Sequence, residues 1–206
     1  RLDTEFGGDV DLNNHRYLAD LVLMTWGSIV RDRDLLAKGV SRFEAAMGQA
    51  RADGSLPLET RRGARAMWYS NMAVGELAMM VQVAGLNGID LRREAARGAA
   101  FDAVVDYLAA VLATPALVLP YAVENYIPGP TPSYRAQDLG FTEQRGHGRH
   151  YMAWTEAPAV QEMAGSAAAR LRAFAGGRLA GLRPLIDDYA GGNTTCFYWR
   201  PLDGAD

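Results

Sequence analysis

Apolar side chains recur at helical spacing through the first half of the chain, and this periodicity limits the fold more than any other feature. An amphipathic helix places an apolar residue every three or four positions, whereas a strand alternates with period two. The helical spacing predicts helices over 16–30, 34–52, 60–86 and 90–113. In the first of them the apolar face consists of Leu18, Leu21, Val22, Trp26 and Ile29. Turn-forming residues separate the segments, namely Asp53-Gly54, Asn87-Gly88 and Pro115.

The second half of the chain changes character at residue 116. Prolines and scattered glycines make 116–148 a long loop within the domain, and loops of this length are usually functional or mobile. Shorter helices are predicted after the loop, at about 150–164, 166–175 and 177–188. The tail 191–199 is rich in residues that favour a β-strand. We therefore predict an all-α fold of antiparallel helix hairpins with a short β-rich tail, in which residues 1–206 form one domain.

Composition and charge exclude several classes of protein. The net charge is −3, so no general positive field attracts nucleic acid, and an acidic partner must be bound by a local cluster of arginines. No apolar run reaches the length of about 18 residues that a membrane span needs. Cys196 is the only cysteine, so neither an intrachain disulfide nor a cysteine-based metal site is expected. Because the chain opens at Arg1 in a loop-like segment, we expect further sequence upstream, including a signal peptide.

Two short stretches offer side chains that could carry chemistry. Asn14 and His15 stand at the start of the first predicted helix, where the simplest interpretation is helix capping and packing. In the third predicted helix Arg62, Arg65 and Tyr69 share one face, because seven residues make two turns. Arginines near a helix start oppose the helix dipole, which indicates either an anion held outside the helix or an ordinary solvated face.

A metal site receives little support from the histidines. His147 and His150 are spaced as metal ligands could be, but no suitably placed carboxylate accompanies them. We therefore predict that this protein binds neither a metal ion nor another cofactor.

The spacing of the two stretches matches a known family. Residues 13–17, Asn-Asn-His-Arg-Tyr, resemble the Asn-Asn-His-x-Tyr motif of the alginate lyases of polysaccharide lyase family 5. In that family an arginine follows the histidine by 47 residues and a tyrosine follows the arginine by seven, as Arg62 and Tyr69 do here. The segment around Trp154 and the C-terminal tail are also similar, and the resemblance is weakest across 116–148. One departure is Leu18, where the family often has a tryptophan that lines the sugar groove.

The resemblance implies a fold, a reaction and a set of roles. The fold would be an (α/α) toroid of helix hairpins, incomplete in this chain, and the reaction would be β-elimination in mannuronate-rich alginate without a metal ion. Asn14 and Arg62 would neutralise the uronate carboxylate, Tyr69 would act as acid and base, and His15 would assist neutralisation or act as base. Further substrate contacts would come from Arg16, Tyr17, Leu18, Arg65, Arg145, Arg149 and Trp154. The protein would be a bacterial periplasmic or secreted monomer that binds an acidic polysaccharide.

Two alternatives remain open at this point. Leu18 leaves room for another polyuronate, such as polyglucuronate or a glycosaminoglycan, as the substrate. The chain could also be a non-catalytic polysaccharide-binding protein that retains the fold. A glycosidase would need two facing carboxylates, and no convincing pair is offered by Glu59, Asp90 and Glu156.

Overall fold

The structure, a computed structural model, describes residues 6–92, 95–125, 133–145 and 148–198, without the side chains at 95–99 and 144–145. Nine α-helices lie within these ranges: α1 (Asn14–Val30), α2 (Arg33–Met47), α3 (Pro57–Thr60), α4 (Ala66–Leu86), α5 (Ala95–Ala113), α6 (Leu119–Ala122), α7 (Pro158–Gln161), α8 (Ser166–Leu179) and α9 (Thr194–Tyr198). The strands form two antiparallel pairs, β1 (Gln144–Arg145) with β2 (Arg149–His150), and β3 (Ile186–Asp187) with β4 (Gly192–Asn193).

Helices α1 and α2 form the first hairpin, and local signals define its ends. The side chain of Asn13 accepts a hydrogen bond from the backbone N–H of His15, which makes Asn13 the N-cap of α1. Arg31 ends α1 in the left-handed conformation. The side chain of Asp32 then caps α2 by accepting from the N–H groups of its first turn. With only two residues between the helices, the chain must reverse direction, and α1 packs along α2.

Helix α4 lies at the centre of the packing. It contacts α1, α2, α3, α5 and α7, and α5 in turn contacts α8. Most of its residues are buried on all sides, as expected of a central helix. The largest side chains of the surrounding core come from several helices, and they include Met24, Phe43, Met67, Leu77, Met80, Phe101, Leu108 and Leu171. The burial of α4 also encloses polar side chains, which becomes important for the site described below.

The predicted helix over 60–86 is wrong at its beginning. Gly63 adopts φ +58°, which belongs to the left-handed region, so a right-handed helix cannot pass through it. The chain instead forms α3, a turn over residues 61–65 and then α4. Arg62 therefore lies on the turn before α4, and the prediction that Arg62 and Tyr69 share one continuous helix face is incorrect.

The loop over 116–148 holds more regular structure than its prolines suggested. Pro115 and Pro120 occupy the first turn of short helical segments, where a missing N–H costs nothing because it would have no partner there. The segment also contains a 3-10 turn at Gly140–Thr142 and strand β1. Pro128, Pro130 and Pro132 lie outside the described residues.

The C-terminal predictions need three corrections. The segment 150–164 is not one helix, because it contains the end of β2, a 3-10 turn at Ala153–Glu156 and the short α7. A helix over 177–188 is wrong in its second half, because Arg183 precedes Pro184 and adopts the extended conformation that a following proline favours. The tail forms a strand only at β4, and the residues after it turn into α9. The pairing of β3 with β4 keeps this end of the chain beside β2.

Among the described residues, no helix combines the length and apolar character required to cross a lipid bilayer.

A glycine in the connection between α2 and α3 provides a test of the packing. Gly54 has φ +83°, and a Cβ there would lie 1.9 Å from the backbone oxygen of Ala103 in α5. Gly88 also has a positive φ, +73°, but a Cβ there would meet nothing within 4 Å. We expect Gly88→Ala to reduce the free energy of unfolding by about 1 kcal/mol through backbone strain alone. Gly54→Ala should cost roughly 2 kcal/mol more because of the added clash.

Urea unfolding of the two variants and the parent measures this difference. Equal losses in both variants would contradict the close approach of this connection to α5.

Candidate active site

The N-terminus of α1 presents the first predicted pair, and a buried carboxylate supports it. The backbone N–H of Asn14 donates to Oε1 of Glu59 at 2.8 Å. Both side chains are buried, whereas His15 is exposed. Glu59 belongs to α3, which directly precedes the turn that carries Arg62. This hydrogen bond therefore connects the two halves of the predicted site.

Burial strongly affects the ionisation of Glu59. Loss of hydration raises the pKa of its carboxyl group to about 7, against the lowering effects of the Arg62 charge and the Asn14 hydrogen bond. Its second oxygen, Oε2, is buried and has no hydrogen-bond partner within the described part of the chain. The sequence prediction had considered Glu59 only as half of a glycosidase pair and missed this role beside Asn14.

Arg62 is an almost completely buried cation in direct contact with Tyr69. Only 3% of the residue is exposed, and its Cζ lies 3.7 Å from the centroid of the Tyr69 ring. The stacking stabilises both groups through the cation–π interaction. Nε of Arg62 is buried and meets no hydrogen-bond acceptor in the described ranges. A buried guanidinium with an unused donor is costly unless an anion completes it.

The ionisation of His15 also depends on this neighbourhood. Partial burial, and then the positive charge of Arg62, lower the pKa of the imidazole. His15 is therefore mainly neutral near pH 7. A neutral imidazole can accept a proton or donate one hydrogen bond, but it adds no positive charge to the site. This favours the role of base over that of charge neutraliser among the two roles suggested for His15.

Hydrogen bonds from the long loop stabilise the turn that carries Arg62. The Gln137 side chain accepts from the N–H of Met67 at 3.1 Å and donates to the carbonyl of Gly63 at 2.9 Å. The N–H of Asp138 donates to the carbonyl of Ala64 at 2.7 Å. Neither Gln137 nor Asp138 could be predicted from local sequence, because hydrogen bonds across some seventy positions leave no spacing signal.

Arg65 is the predicted substrate contact that remains accessible. Its side chain is 40% exposed, and its Nε lies 4.0 Å from Oδ2 of Asp138. Leu18 lies half-buried on α1. The side chain of Arg145 lies outside the described part of the structure, so its predicted substrate contact has no structural counterpart here.

Arg16 and Tyr17 face inward, so their predicted contact with substrate needs correction. Arg16 is 3% exposed, and its guanidinium donates to the carboxylates of Asp11 and Asp20. The hydroxyl of Tyr17 donates to the carbonyl of Leu12 at 3.0 Å, and the ring belongs to the core. Both side chains anchor α1 to the segment before it, because one α-helical turn cannot expose residues 15, 16 and 17 together.

Trp154 and Arg149 likewise form their polar contacts with other residues of the protein. The indole N–H of Trp154 donates to Asn71 at 3.2 Å, and its ring packs against Gly75, where a Cβ would lie 2.7 Å away. Arg149 forms ion pairs at 2.7 Å with Asp187 and Asp188. A sugar could use either side chain only after these interactions break, and we therefore assign both to the packing around α4.

Within the described ranges, no group of three or more histidine, cysteine, aspartate or glutamate side chains is arranged to hold a metal ion. His150 is buried, and its Nδ1 accepts from the backbone N–H of Ile186 at 3.0 Å. His147 lies outside the described residues.

Comparison with known proteins identifies the family. The profile described as Alginate lyase matches residues 5–117, which is more than half of the chain, and this chain therefore belongs to the alginate lyase family. An alginate lyase of Pseudomonas aeruginosa is 41% identical over 83 residues, covering 40% of this chain and 23% of that protein. An alginate lyase of Cobetia marina is 40% identical over 82 residues, covering 40% of this chain and 22% of that protein.

Solved structures extend the similarity across most of the chain. Alginate lyase A1-III from Sphingomonas species A1 superposes with a TM-score of 0.70 at 26% identity, covering 95% of this chain and 49% of that one. A variant of alginate lyase A1-III in complex with a tetrasaccharide gives a TM-score of 0.72 at 25% identity, with the same coverage. The chain thus spans about half the length of the solved structures it matches. The predicted all-α fold of the (α/α) toroid class is confirmed.

The buried carboxyl group of Glu59 makes stability depend on pH. Its pKa rises from 4.5 to about 7 on folding, so the folded state binds the proton more tightly than the unfolded state. This contribution is fully present below about pH 4.5 and is lost as the pH rises through about 7. Glu59→Gln removes the ionisation, so the variant should gain roughly 3 kcal/mol relative to the parent between about pH 4 and pH 8.

Urea unfolding at the two pH values measures this gain. The difference between variant and parent also includes the response of Glu76, because the charge of Glu59 adds to burial in raising the pKa of that carboxyl group. A difference that stays constant with pH would show that Glu59 ionises normally in the folded protein.

Proposed function

We propose that this protein is a polysaccharide lyase of family 5 that cleaves mannuronate-rich alginate by β-elimination. The observation that carries the proposal is the Arg62 guanidinium, buried without an acceptor for its Nε and stacked at 3.7 Å on the Tyr69 ring. This arrangement suits an anionic substrate held beside a phenol. Polyuronates bring a carboxylate to every sugar, and β-elimination needs an acid–base group next to that carboxylate.

The first requirement of the reaction is neutralisation of the carboxylate. The proton on C5 of a uronate is weakly acidic, because removing it adds electron density beside a group that is already charged. Arg62 can donate to the carboxylate through its guanidinium, and the side-chain amide of Asn14 can donate a further hydrogen bond. Each preorganised donor lowers the barrier by roughly 3 kcal/mol. The family scheme therefore needs no metal ion for this step.

The second requirement is proton transfer. A base takes the C5 proton, the bond between C4 and the glycosidic oxygen breaks, a C4–C5 double bond forms, and the leaving oxygen receives a proton. In polymannuronate the C5 proton and the leaving oxygen lie on one face, so Tyr69 can serve both steps. Where they lie on opposite faces, as in polyguluronate, the mainly neutral His15 is available as a separate base.

The substrate assignment rests on the relatives. The similar bacterial proteins are named alginate lyases, and a variant of alginate lyase A1-III has been solved with a tetrasaccharide. Arg65 supports a further uronate contact because its side chain is partly exposed beside the Arg62 turn. Leu18, in place of an aromatic residue, makes the sugar groove at α1 less able to stack on a pyranose face.

We further propose that the protein acts as a monomer in the periplasm or after secretion. A polysaccharide does not cross the cytoplasmic membrane unaided, so an enzyme that cleaves it works outside the cytoplasm.

A substrate panel tests the reaction and its specificity together. Polymannuronate, polyguluronate and polyglucuronate are offered to the complete protein that contains this chain, and the ultraviolet absorbance of the unsaturated product is followed. We expect the fastest increase with polymannuronate. A preference for polyglucuronate would indicate the alternative substrate class. Binding of a polymer without any absorbance change would instead indicate a non-catalytic polysaccharide-binding protein.

Tyr69→Phe tests the catalytic tyrosine. The variant keeps the ring on which Arg62 stacks but loses the hydroxyl, so turnover should fall by about 10³-fold while the polymer still binds. Tyr107→Phe is the matched control. Its hydroxyl is buried without a partner in the described part of the chain, so its loss should change turnover by less than about twofold. Full turnover in Tyr69→Phe would contradict the role of Tyr69.

A further inference from the structure

Glu59 occupies the junction between the two halves of the proposed site. It is completely buried on α3, and its Oε1 accepts the N–H of Asn14 at 2.8 Å. Three residues later the chain reaches Arg62, the buried cation. No other hydrogen bond between described residues joins α3 to the first residue of α1. This carboxyl group therefore helps to set the relative position of Asn14 and Arg62, together with the packing of α1 on α4.

The backbone N–H groups at the start of α1 need hydrogen-bond acceptors, and Glu59 supplies one of them. The N–H of His15 donates to the Asn13 side chain, and the N–H groups of Arg16 and Tyr17 donate to the Asn13 carbonyl. The N–H of Asn14 donates to Glu59, its only acceptor among the described residues. An unsatisfied buried N–H is costly, so the helix end would shift if the carboxyl group were removed.

The charged groups around Glu59 come from each element packed against it. Arg62, on the turn after α3, is the favourable charge. The negative charge of Glu59 contributes to raising the pKa of Tyr17 on α1 and of Glu76 on α4. The positive charge of Arg62 contributes to lowering the pKa of His15. A carboxylate in this position attracts the guanidinium and complements the positive end of the α1 dipole. The neutral acid retains the hydrogen bond to Asn14 but loses both charge interactions.

We propose that Glu59 is a positioning residue for the β-elimination, and that its carboxylate form holds Asn14 and Arg62 at the separation that a uronate carboxylate requires. This inference rests on the proposed function, because the separation matters only if both donors bind one carboxylate. Glu59 has no contact with substrate and acts through its two neighbours. A misplacement of about 1 Å in such a pair reduces turnover by 10-fold to 100-fold.

The proposal makes the rate depend on the ionisation of Glu59. Because burial raises the pKa of this carboxyl group to about 7, the positioning form is gained as the pH rises through neutrality. Glu59→Gln imitates the neutral acid, since its amide oxygen still accepts from Asn14. The ratio of kcat, parent over variant, should be near 1 at about pH 5.5 and rise to about 10-fold at about pH 8.5. Using the ratio cancels the titration of His15, whose pKa is shifted by burial and by Arg62 in both proteins.

Thr60→Val supplies the matched control on the same helix. Thr60 is also completely buried, and its hydroxyl bonds with Arg51 and the Leu56 carbonyl, on the side of α3 that does not meet Asn14. Its loss loosens α3 without changing the acceptor of Asn14, so the ratio of parent to Thr60→Val should not vary with pH. A pH-independent ratio for Glu59→Gln as well, in a protein whose parent is an active lyase, would overturn the proposal.

A second measurement is independent of activity. In the parent, the backbone amide resonance of Asn14 should shift with a midpoint at about pH 7, because its acceptor changes charge, and the shift should disappear in Glu59→Gln. The amide of His15, which donates to Asn13, is the internal reference. Absence of lyase activity in the parent would overturn the proposed function, whereas an Asn14 amide that does not titrate near pH 7 would overturn the inference about Glu59.

Discussion

The guanidinium of Arg62 is buried and forms no ion pair with any residue that the structure describes, so its charge must be stabilised by other contacts. Stacking on Tyr69 and the nearby carboxyl group of Glu59 offset part of the cost of its burial. The turn that carries it is held by Gln137 from the long loop. This arrangement fits the anion binding that we propose, because a donor that is already desolvated needs little reorganisation when a ligand arrives.

Several carboxyl groups are buried in this part of the protein, where their ionised forms reduce its stability. Glu59 and Glu76 are both completely enclosed beside α4, and burial raises the pKa of each. Asp187, partly balanced by Arg149, also has its pKa raised to about 6. Groups of this kind favour the folded state at low pH and weaken it as they ionise. If the ionised form of Glu59 serves the reaction, function and stability have opposite pH dependences at this position, as is common at active sites.

The helical hairpins were predictable, whereas the breaks between them were only partly so. The periodicity that predicted α1 and α4 reflects which side chains are buried, and burial decides helices of this length. Gly63 carried a weak signal of a break, since glycine tolerates both helical and left-handed conformations, and only the contacts around it select one. Because the helix is interrupted at Gly63, Arg62 lies on a turn and its guanidinium stacks on the Tyr69 ring. The two residues do not share one helix face, contrary to the prediction from the sequence.

By itself the sequence determined the order of the longer helices and the spacing of Asn14, His15, Arg62 and Tyr69, which resembles that of the alginate lyase family. These features are local or follow from spacing along the chain, so they are legible without coordinates. Only the tertiary structure decided which of the remaining candidates face the protein interior. In the structure Arg16 and Arg149 form ion pairs with carboxylates of the protein itself. Glu59 and Gln137 form hydrogen bonds beside the proposed site. Hydrogen bonds between residues far apart in sequence depend on how helices pack, and no pattern within one helix records that packing.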